Sequence, residues 1–212
     1  MIELGLKFTA AYLLGSILGS LLVGQIRGGV DIRELGSRNA GGTNALRTQG
    51  KAFAFWVMVI DVGKGVIPVL LLPQLAIPGV GIDSQVSREL IAYAAGFGAI
   101  LGHVYPLWYD FRGGKGGATA AGVLCVLAPG LALPAIGIWF LVIVLTRYVG
   151  LATMSVAVGA SAFIGVTRLP QQIDFFVFSV LVAALIVYTH RENIKRMLRG
   201  EESRTEIVRF GR

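Results

Sequence analysis

The chain has 212 residues, of which 55% are hydrophobic and only 15% charged, against about 25% charged in a soluble domain. Together with a mean hydropathy of +0.72, this excludes a disordered chain and a water-soluble globule, because a small soluble domain must cover its surface with polar side chains. The formal charge of +7, from 19 Lys and Arg against 12 Asp and Glu, points to a cytoplasmic membrane face, anionic headgroups or anionic substrates, and no soluble basic module is present to carry nucleic acid.

In chain order, apolar stretches occupy residues 4–26, 52–75, 88–106, 118–127, 130–145, 151–166 and 173–189. A membrane-spanning helix needs about 20 such residues. The first stretch is too long for a signal-peptide core and has no basic start, since Glu3 precedes Lys7; it is expected to be a retained helix. The fourth is short and ends before Pro129, as a half-span or tilted piece would. The pattern predicts an all-α integral membrane bundle of seven transmembrane helices, with five as the alternative, in one transmembrane domain over residues 1–212. The lone cysteine, Cys125, allows no intrachain disulfide.

The basic residues fix the expected orientation. Fifteen fall on one side: Arg27, Arg33, Arg38, Arg47 and Lys51 after the first stretch; Arg112 and Lys115 after the third; Arg147; then Arg191, Lys195, Arg196, Arg199, Arg204, Arg209 and Arg212. Lys7, Arg88 and Arg168 fall on the other, and Lys64 lies within a span. The positive-inside rule puts the N-terminus outside and the C-terminus in the cytoplasm, which requires an odd number of spans.

Four polar segments carry chemistry, all on the basic side. The first is Gly36-Ser37-Arg38-Asn39-Ala40-Gly41-Gly42-Thr43-Asn44, followed by Arg47. Glycines let consecutive N–H groups approach one anion, and the helix expected from Lys51 adds its N-terminal dipole. The competing reading is a flexible loop, which would not need two Asn, a Ser, a Thr and two Arg so close together. The second is Gly102-His103-Val104-Tyr105-Pro106, then Arg112-Gly113-Gly114-Lys115-Gly116-Gly117. It is not a Walker A loop, because Tyr109 and Gly116 occupy positions where that pattern needs Gly and Ser or Thr. A glycine loop centred on Lys115 at a helix start suits a phosphate; a tight turn with a snorkelling lysine is the competing reading.

The third segment runs from Arg147 to Ser155, with Thr153 and Ser155 as hydroxyl donors; helix-bridging hydroxyls explain it equally well. The fourth is His190-Arg191-Glu192-Asn193, in which His190 and Asn193 share a helix face. Inside the second span, Asp61 and Lys64 form an i, i+3 pair, either functional or mutually neutralising. No Cys/His cluster has metal-ligand spacing and no Gly-x-Ser-x-Gly elbow is present. Neither histidine has an Asp five residues later. The expected metal and cofactor content is therefore none.

These motifs, in this order and across nearly the whole chain, resemble the PlsY family of bacterial acyl-phosphate:glycerol-3-phosphate acyltransferases. The resemblance rests on Gly36-Ser37-x-Asn39-x-Gly41-x-Thr43-Asn44, on Gly102-His103-x-Tyr105-Pro106 with Gly113-Gly114-Lys115-Gly116, on Arg147-Tyr148 to Thr153, and on His190-Arg191-x-Asn193. Asp61-x-x-Lys64-Gly65 also fits. Arg38 stands where the family often has Gly, Gly42 where it often has Ala, Gly117 where Val is common, and Arg112 where Lys is usual; Gly150 and Thr153 stand where Ser is expected. The resemblance implies a multi-pass enzyme of the bacterial inner membrane with its active site on the cytoplasmic face. It implies acyl transfer from acyl phosphate to the 1-hydroxyl of sn-glycerol 3-phosphate, giving lysophosphatidic acid and phosphate, the first acylation of phospholipid synthesis. His190, Lys115, Ser37 and Asn39 are the implied catalytic residues. Gly36, Gly41, Thr43, Asn44, Arg47, His103, Gly113, Gly114, Gly116, Thr153 and Asn193 are the implied substrate-binding residues, with Lys64, Asp61, Arg38 and Arg112 as further candidates. Partners are then acyl phosphate, glycerol 3-phosphate, the bilayer and the soluble enzyme that makes acyl phosphate.

The rival class is a small anion transporter or channel, which Gly-rich helix ends would also suit. A transporter should show internal repeats and polar groups on both faces; here the motifs fall on one. A purely structural membrane protein leaves the Gly-Asn-Lys-His loops without a purpose. Lys115, Arg47, His190 and Asn193 are expected to converge with loop 37–44. The base stays open between a histidine, with His190 the first choice, and the substrate's own phosphate.

Overall fold

The structure, a computed structural model, describes residues 1–205; Arg209 and Arg212 lie outside them. The regular structure of the described residues is entirely helical, in agreement with the all-α expectation. The helices are α1 (Ile2–Gly15), α2 (Gly19–Ile26), α3 (Gly42–Gln49), α4 (Lys51–Leu71), α5 (Arg88–Val104), α6 (Gly117–Leu127), α7 (Ala132–Thr146), α8 (Val149–Arg168), α9 (Ile173–Thr189) and α10 (Arg191–Leu198). Four helical stretches, Lys51–Gln74, Arg88–Tyr109, Pro129–Thr146 and Val149–Arg168, are long and apolar enough to cross a membrane. Two bent pairs raise the number to six: α1 with α2, bent by 43°, and α9 with α10, bent by 53°. The short fourth stretch is helix α6, apolar but only 11 residues long.

The uninterrupted apolar run 4–26 is thus broken, and the break has a cause. Lys64 donates from Nζ to the Ile17 carbonyl at 2.7 Å, and the Gly19 N–H donates to Asp61 Oδ1 at 3.2 Å. Two α4 side chains take up backbone groups that a continuous helix would have paired, which is a recognised origin of kinks. Leu18, extended at φ −87° and ψ 116°, forms the corner. A second difference is α3: the first Gly-rich motif opens a short helix of its own ahead of the Lys51 helix.

The chain forms two compact units, Met1–Pro129 and Gly130 onward. In the first, α5 packs on α1, α4 and α6. Small residues let α1 and α5 approach closely, as in many membrane helix pairs. A Cβ on Gly102 would strike the Tyr12 carbonyl and the Ser16 amide. Ala11, Ala95, Ala99 and Ile100 are fully buried in this unit. One polar cluster is also buried here. Glu3 accepts from Lys7 Nζ at 2.7 Å and from Arg88 Nη1 at 2.6 Å, and both cations donate to the Pro73 carbonyl.

In the second unit α8 packs on α7 and α9. Ser179 donates across the α8–α9 contact to Ser161 Oγ at 3.1 Å, the interhelical bridging expected of small hydroxyls in a membrane. Along α7, Leu133 is 80% and Leu145 72% exposed. In α4 the exposed large side chains include Phe55, Trp56 and Leu70. A soluble protein would cover apolar area of this extent, whereas helices of this length and composition suit a membrane.

Candidate functional site

In the first unit the site is built from loop 31–41 with α3, and from loop 105–116 with α6. Asn44, 1% exposed, organises the first loop. Its Oδ1 accepts from the Ser37 N–H at 3.0 Å, and its two Nδ2 hydrogens are shared among the carbonyls of Ile32, Leu35 and Asn39 at 2.8, 3.0 and 3.0 Å. The Asn44 amide is therefore spent on the loop itself. Gly36, at φ +55°, passes over Asn44 where a Cβ would meet that Oδ1. Ser37, Arg38 and Arg47 stay exposed, while Asn39, Gly41 and Thr43 are half-buried. Gly41 caps α3 without a side-chain hydrogen bond, and its first turn holds no acid, so the N–H groups of that turn are open to an anion.

The second loop repeats the device. Gly116, at φ +82°, caps α6, again without a side-chain hydrogen bond and with no acid in the first turn. Half-buried Lys115 immediately precedes the cap. Arg33 joins the two loops. It donates to Asp31 from Nε and Nη2 at 3.1 and 2.8 Å, and from Nη1 to the Tyr109 and Arg112 carbonyls, both at 3.3 Å. Its guanidinium also lies 5.7 Å from the centre of the Tyr109 ring. The Arg33 guanidinium holds the Asp31 carboxyl below its usual value, more strongly than burial raises it. Arg112 takes part through its carbonyl and exposes its side chain.

Beneath the second loop lies a buried cluster. Asp61 is paired with Lys64 Nζ at 3.0 Å and stands 3.5 Å from His103 Nδ1. The side chains of all three are nearly sealed from solvent, with exposures of 1%, 6% and 3%. Gly113 and Gly114 donate their N–H groups to the carbonyls of Val104 and His103 at 3.2 and 3.0 Å. A Cβ on Gly114 would run into the His103 ring.

The second unit brings the third and fourth motifs together. His190 sits at the bend between α9 and α10, 5% exposed. Its Nδ1 lies 2.7 Å from the Ile186 carbonyl, and since a carbonyl only accepts, Nδ1 carries the proton of that bond. Asn193 donates to Glu202 Oε1 at 2.7 Å, and Glu202 Oε2 accepts from Arg196 at 2.6 Å. Gly150, in the first turn of α8, faces this pair; a Cβ there would lie 3.2 Å from Asn193 Nδ2 and His190 Cδ2. The glycine that stands in place of serine therefore permits a tight helix contact. Thr153 donates back to the Val149 carbonyl at 3.0 Å, so its hydroxyl satisfies its own helix. Arg147 Nε donates to the Thr205 carbonyl at 3.0 Å.

Sequence reasoning missed Arg33 and Glu202, whose partners are distant in the chain. The Asp31-x-Arg33 spacing was the one local signal, and for Glu202 there was none. Among the described residues, no group of three or more His, Cys, Asp or Glu side chains could hold a metal ion.

The family profile described as Glycerol-3-phosphate acyltransferase matches residues 6–200. The chain belongs to that family. It is 40% identical over 194 residues to the glycerol-3-phosphate acyltransferase of Aquifex aeolicus (strain VF5), covering 92% of this chain and 95% of the relative. The protein of the same description from Chlorobaculum parvum (strain DSM 263 / NCIMB 8327) is 38% identical over 231 residues, covering 96% of each. Among solved structures, the crystal structure of PlsY, an integral membrane glycerol 3-phosphate acyltransferase, in its glycerol 3-phosphate form superposes with a TM-score of 0.82 at 37% identity, covering 95% of both chains. Its lysophosphatidic acid form superposes with 0.79, also at 37% identity, covering 96% of this chain and 95% of that one. The family expected from the motifs is thus the family found, and the solved relative described here is an integral membrane protein.

Proposed function

We propose that this protein transfers a fatty acyl group from acyl phosphate to the 1-hydroxyl of sn-glycerol 3-phosphate, releasing lysophosphatidic acid and phosphate. The observation that carries the reading is the pair of uncapped, acid-free helix N-termini at α3 and α6, each reached through a glycine loop, with Lys115 directly before α6 and Arg47 in the last turn of α3. Arg33 ties the two loops to each other. Both substrates and both products carry phosphate, and such ends bind phosphate through backbone N–H groups and the helix dipole. The forms in which the solved relative was determined support the same acceptor and product.

The hydroxyl oxygen attacks the acyl carbon, the bond to the phosphate oxygen breaks, and the proton passes to a phosphate oxygen of the substrates. Acyl phosphate is an activated mixed anhydride, so no further cofactor enters this scheme. Lys115 and the backbone N–H groups of the first turns of α3 and α6 hold phosphate and steady the oxyanion, with the Ser37, Asn39, Thr43 and Arg47 side chains as further donors. His190 and Asn193 orient substrate. We read seven crossings in one domain, with α6 as the short one. Eleven helical residues span only about 16 Å, so α6 must be supported by the α4 and α5 it packs on. The N-terminus then lies outside, and the motifs face the cytoplasm of a bacterial inner membrane.

The test is purified protein with radiolabelled glycerol 3-phosphate and, in parallel, acyl phosphate, acyl-CoA or acyl-carrier protein. Lysophosphatidic acid should form from acyl phosphate alone, and equally in excess EDTA. Product from acyl-CoA instead would replace the donor; no product from any donor would remove the reading. Each charge-assisted bond is worth about 1.5–3 kcal/mol, so Lys115→Ala should lose about ten- to a hundredfold in kcat/KM. Unchanged turnover by that variant would take Lys115 out of the site.

A further inference from the structure

We propose that His103 is a positioning residue that holds the Lys115 loop from behind through a buried Asp61–Lys64 pair, and is not itself a phosphate ligand. The proposal rests on the acyltransferase reading given above for its kinetic arm only. Burial is the first ground. His103 is 2% exposed and Asp61 1%, so neither side chain opens to solvent. The second is contact. The loop lies directly on the imidazole, because a Cβ at Gly114 would overlap Nε2. The His103 carbonyl also accepts the Gly114 N–H at 3.0 Å. The ring is therefore covered by the segment whose backbone is to receive phosphate.

The third ground is what stands on the other side. His103 Nδ1 faces Asp61 Oδ1 at 3.5 Å, and Asp61 is paired with Lys64 at 3.0 Å. Those two side chains are anchored in turn at the corner between α1 and α2, on the Gly19 N–H and the Ile17 carbonyl. A line of polar groups thus runs from the helix corner, through α4, to the end of α5 and the underside of the loop, and its His103–Asp61 step is a 3.5 Å approach rather than a hydrogen bond. Among the described residues, Asp61 Oδ2, His103 Nδ1, Ser20 Oγ and Thr119 Oγ1 have no hydrogen-bond partner although buried. Buried groups of this kind are satisfied by internal water. Ser20 follows Gly19, and Thr119 lies in the first turn of α6. A water set there would complete the frame between the corner and the helix that Lys115 introduces.

The frame is tested by hydrogen–deuterium exchange of residues 113–117 in membrane-reconstituted full-length protein, with and without glycerol 3-phosphate, beside steady-state kinetics. His103→Leu should speed ligand-free exchange of these amides about tenfold or more, with α5 and α6 otherwise protected as in the unaltered protein. His103→Asn, which returns a polar atom near the Nδ1 position, should restore most of that protection. Asp61→Asn should loosen the same amides, and Asp61→Asn/His103→Leu should be no worse than the single variants, because both remove one frame. Activity should fall mainly in kcat. Ligand-free exchange unchanged in His103→Leu, with only the protection given by glycerol 3-phosphate lost, would make His103 a ligand and overturn the proposal. Multiplying losses in the double variant would overturn it as well. If His103→Leu does not insert, His103→Asn and Asp61→Asn carry the comparison. Should the unaltered protein fail to acylate glycerol 3-phosphate, the exchange arm without ligand still decides the frame.

Discussion

His190 is held by its Nδ1 on the Ile186 carbonyl at the bend between α9 and α10, which fixes the ring's position. If the substrate's phosphate takes the proton, His190 only positions it, and His190→Gln should raise KM for glycerol 3-phosphate with a modest change in kcat. A kcat loss of about a thousandfold at constant KM would instead make His190 the general base. Asp31 supports a pH prediction. Arg33 holds its carboxyl below the usual value, so the unfolded chain binds a proton there more readily than the folded one. The Asp31–Arg33 tie therefore contributes stability above about pH 4, the ordinary carboxylate range, and loses it as pH falls through the lower folded value. Asp31→Asn should flatten that part of the thermal-stability profile, and an unchanged acid limb would show that the tie adds nothing. The types and spacing of the motif residues were legible in the sequence. Which of them are consumed by the protein itself was not: Asn44 and Thr153 look like substrate ligands until their hydrogen bonds are traced.

Helix existence followed from apolar run length, and every predicted stretch contains a helix. The break between α1 and α2 did not follow, because its cause sits in α4, more than 40 residues away. The separate α3 was hidden for a different reason: its eight residues are too few to show a clear apolar period. The α1–α5 contact gives the test at this scale. Gly102→Leu would drive a side chain into the Tyr12 carbonyl and the Ser16 amide. Overpacking of this kind costs about 1–3 kcal/mol or more, and the midpoint of thermal unfolding should fall by several degrees. Gly130→Leu, where nothing lies within 4 Å of the added Cβ, is the control. Equal midpoints for the two would mean that α1 and α5 do not depend on close approach.

At the scale of the molecule, the basic-residue asymmetry predicts sidedness. With exposed Cys125 replaced by Ser, a single cysteine at Ser84 should react with an impermeant thiol reagent added to intact cells. Single cysteines at Arg112 or Ser203 should react only after the membrane is opened. Labelling at Arg112 but not at Ser84 would reverse the orientation. Two of the three cations that the sequence places outside, Lys7 and Arg88, share the carboxylate of Glu3, so they oppose the charge rule less than their number suggests. That arrangement bears on the order of synthesis. Lys7 and Glu3 are one helical turn apart, so the first helix can leave the ribosome carrying its own counter-charge. Arg88 is translated some 80 residues later and finds Glu3 already in place. One carboxylate thus serves a cation of its own helix and a cation of the segment that begins α5, so α5 is tied to α1 by more than its apolar face.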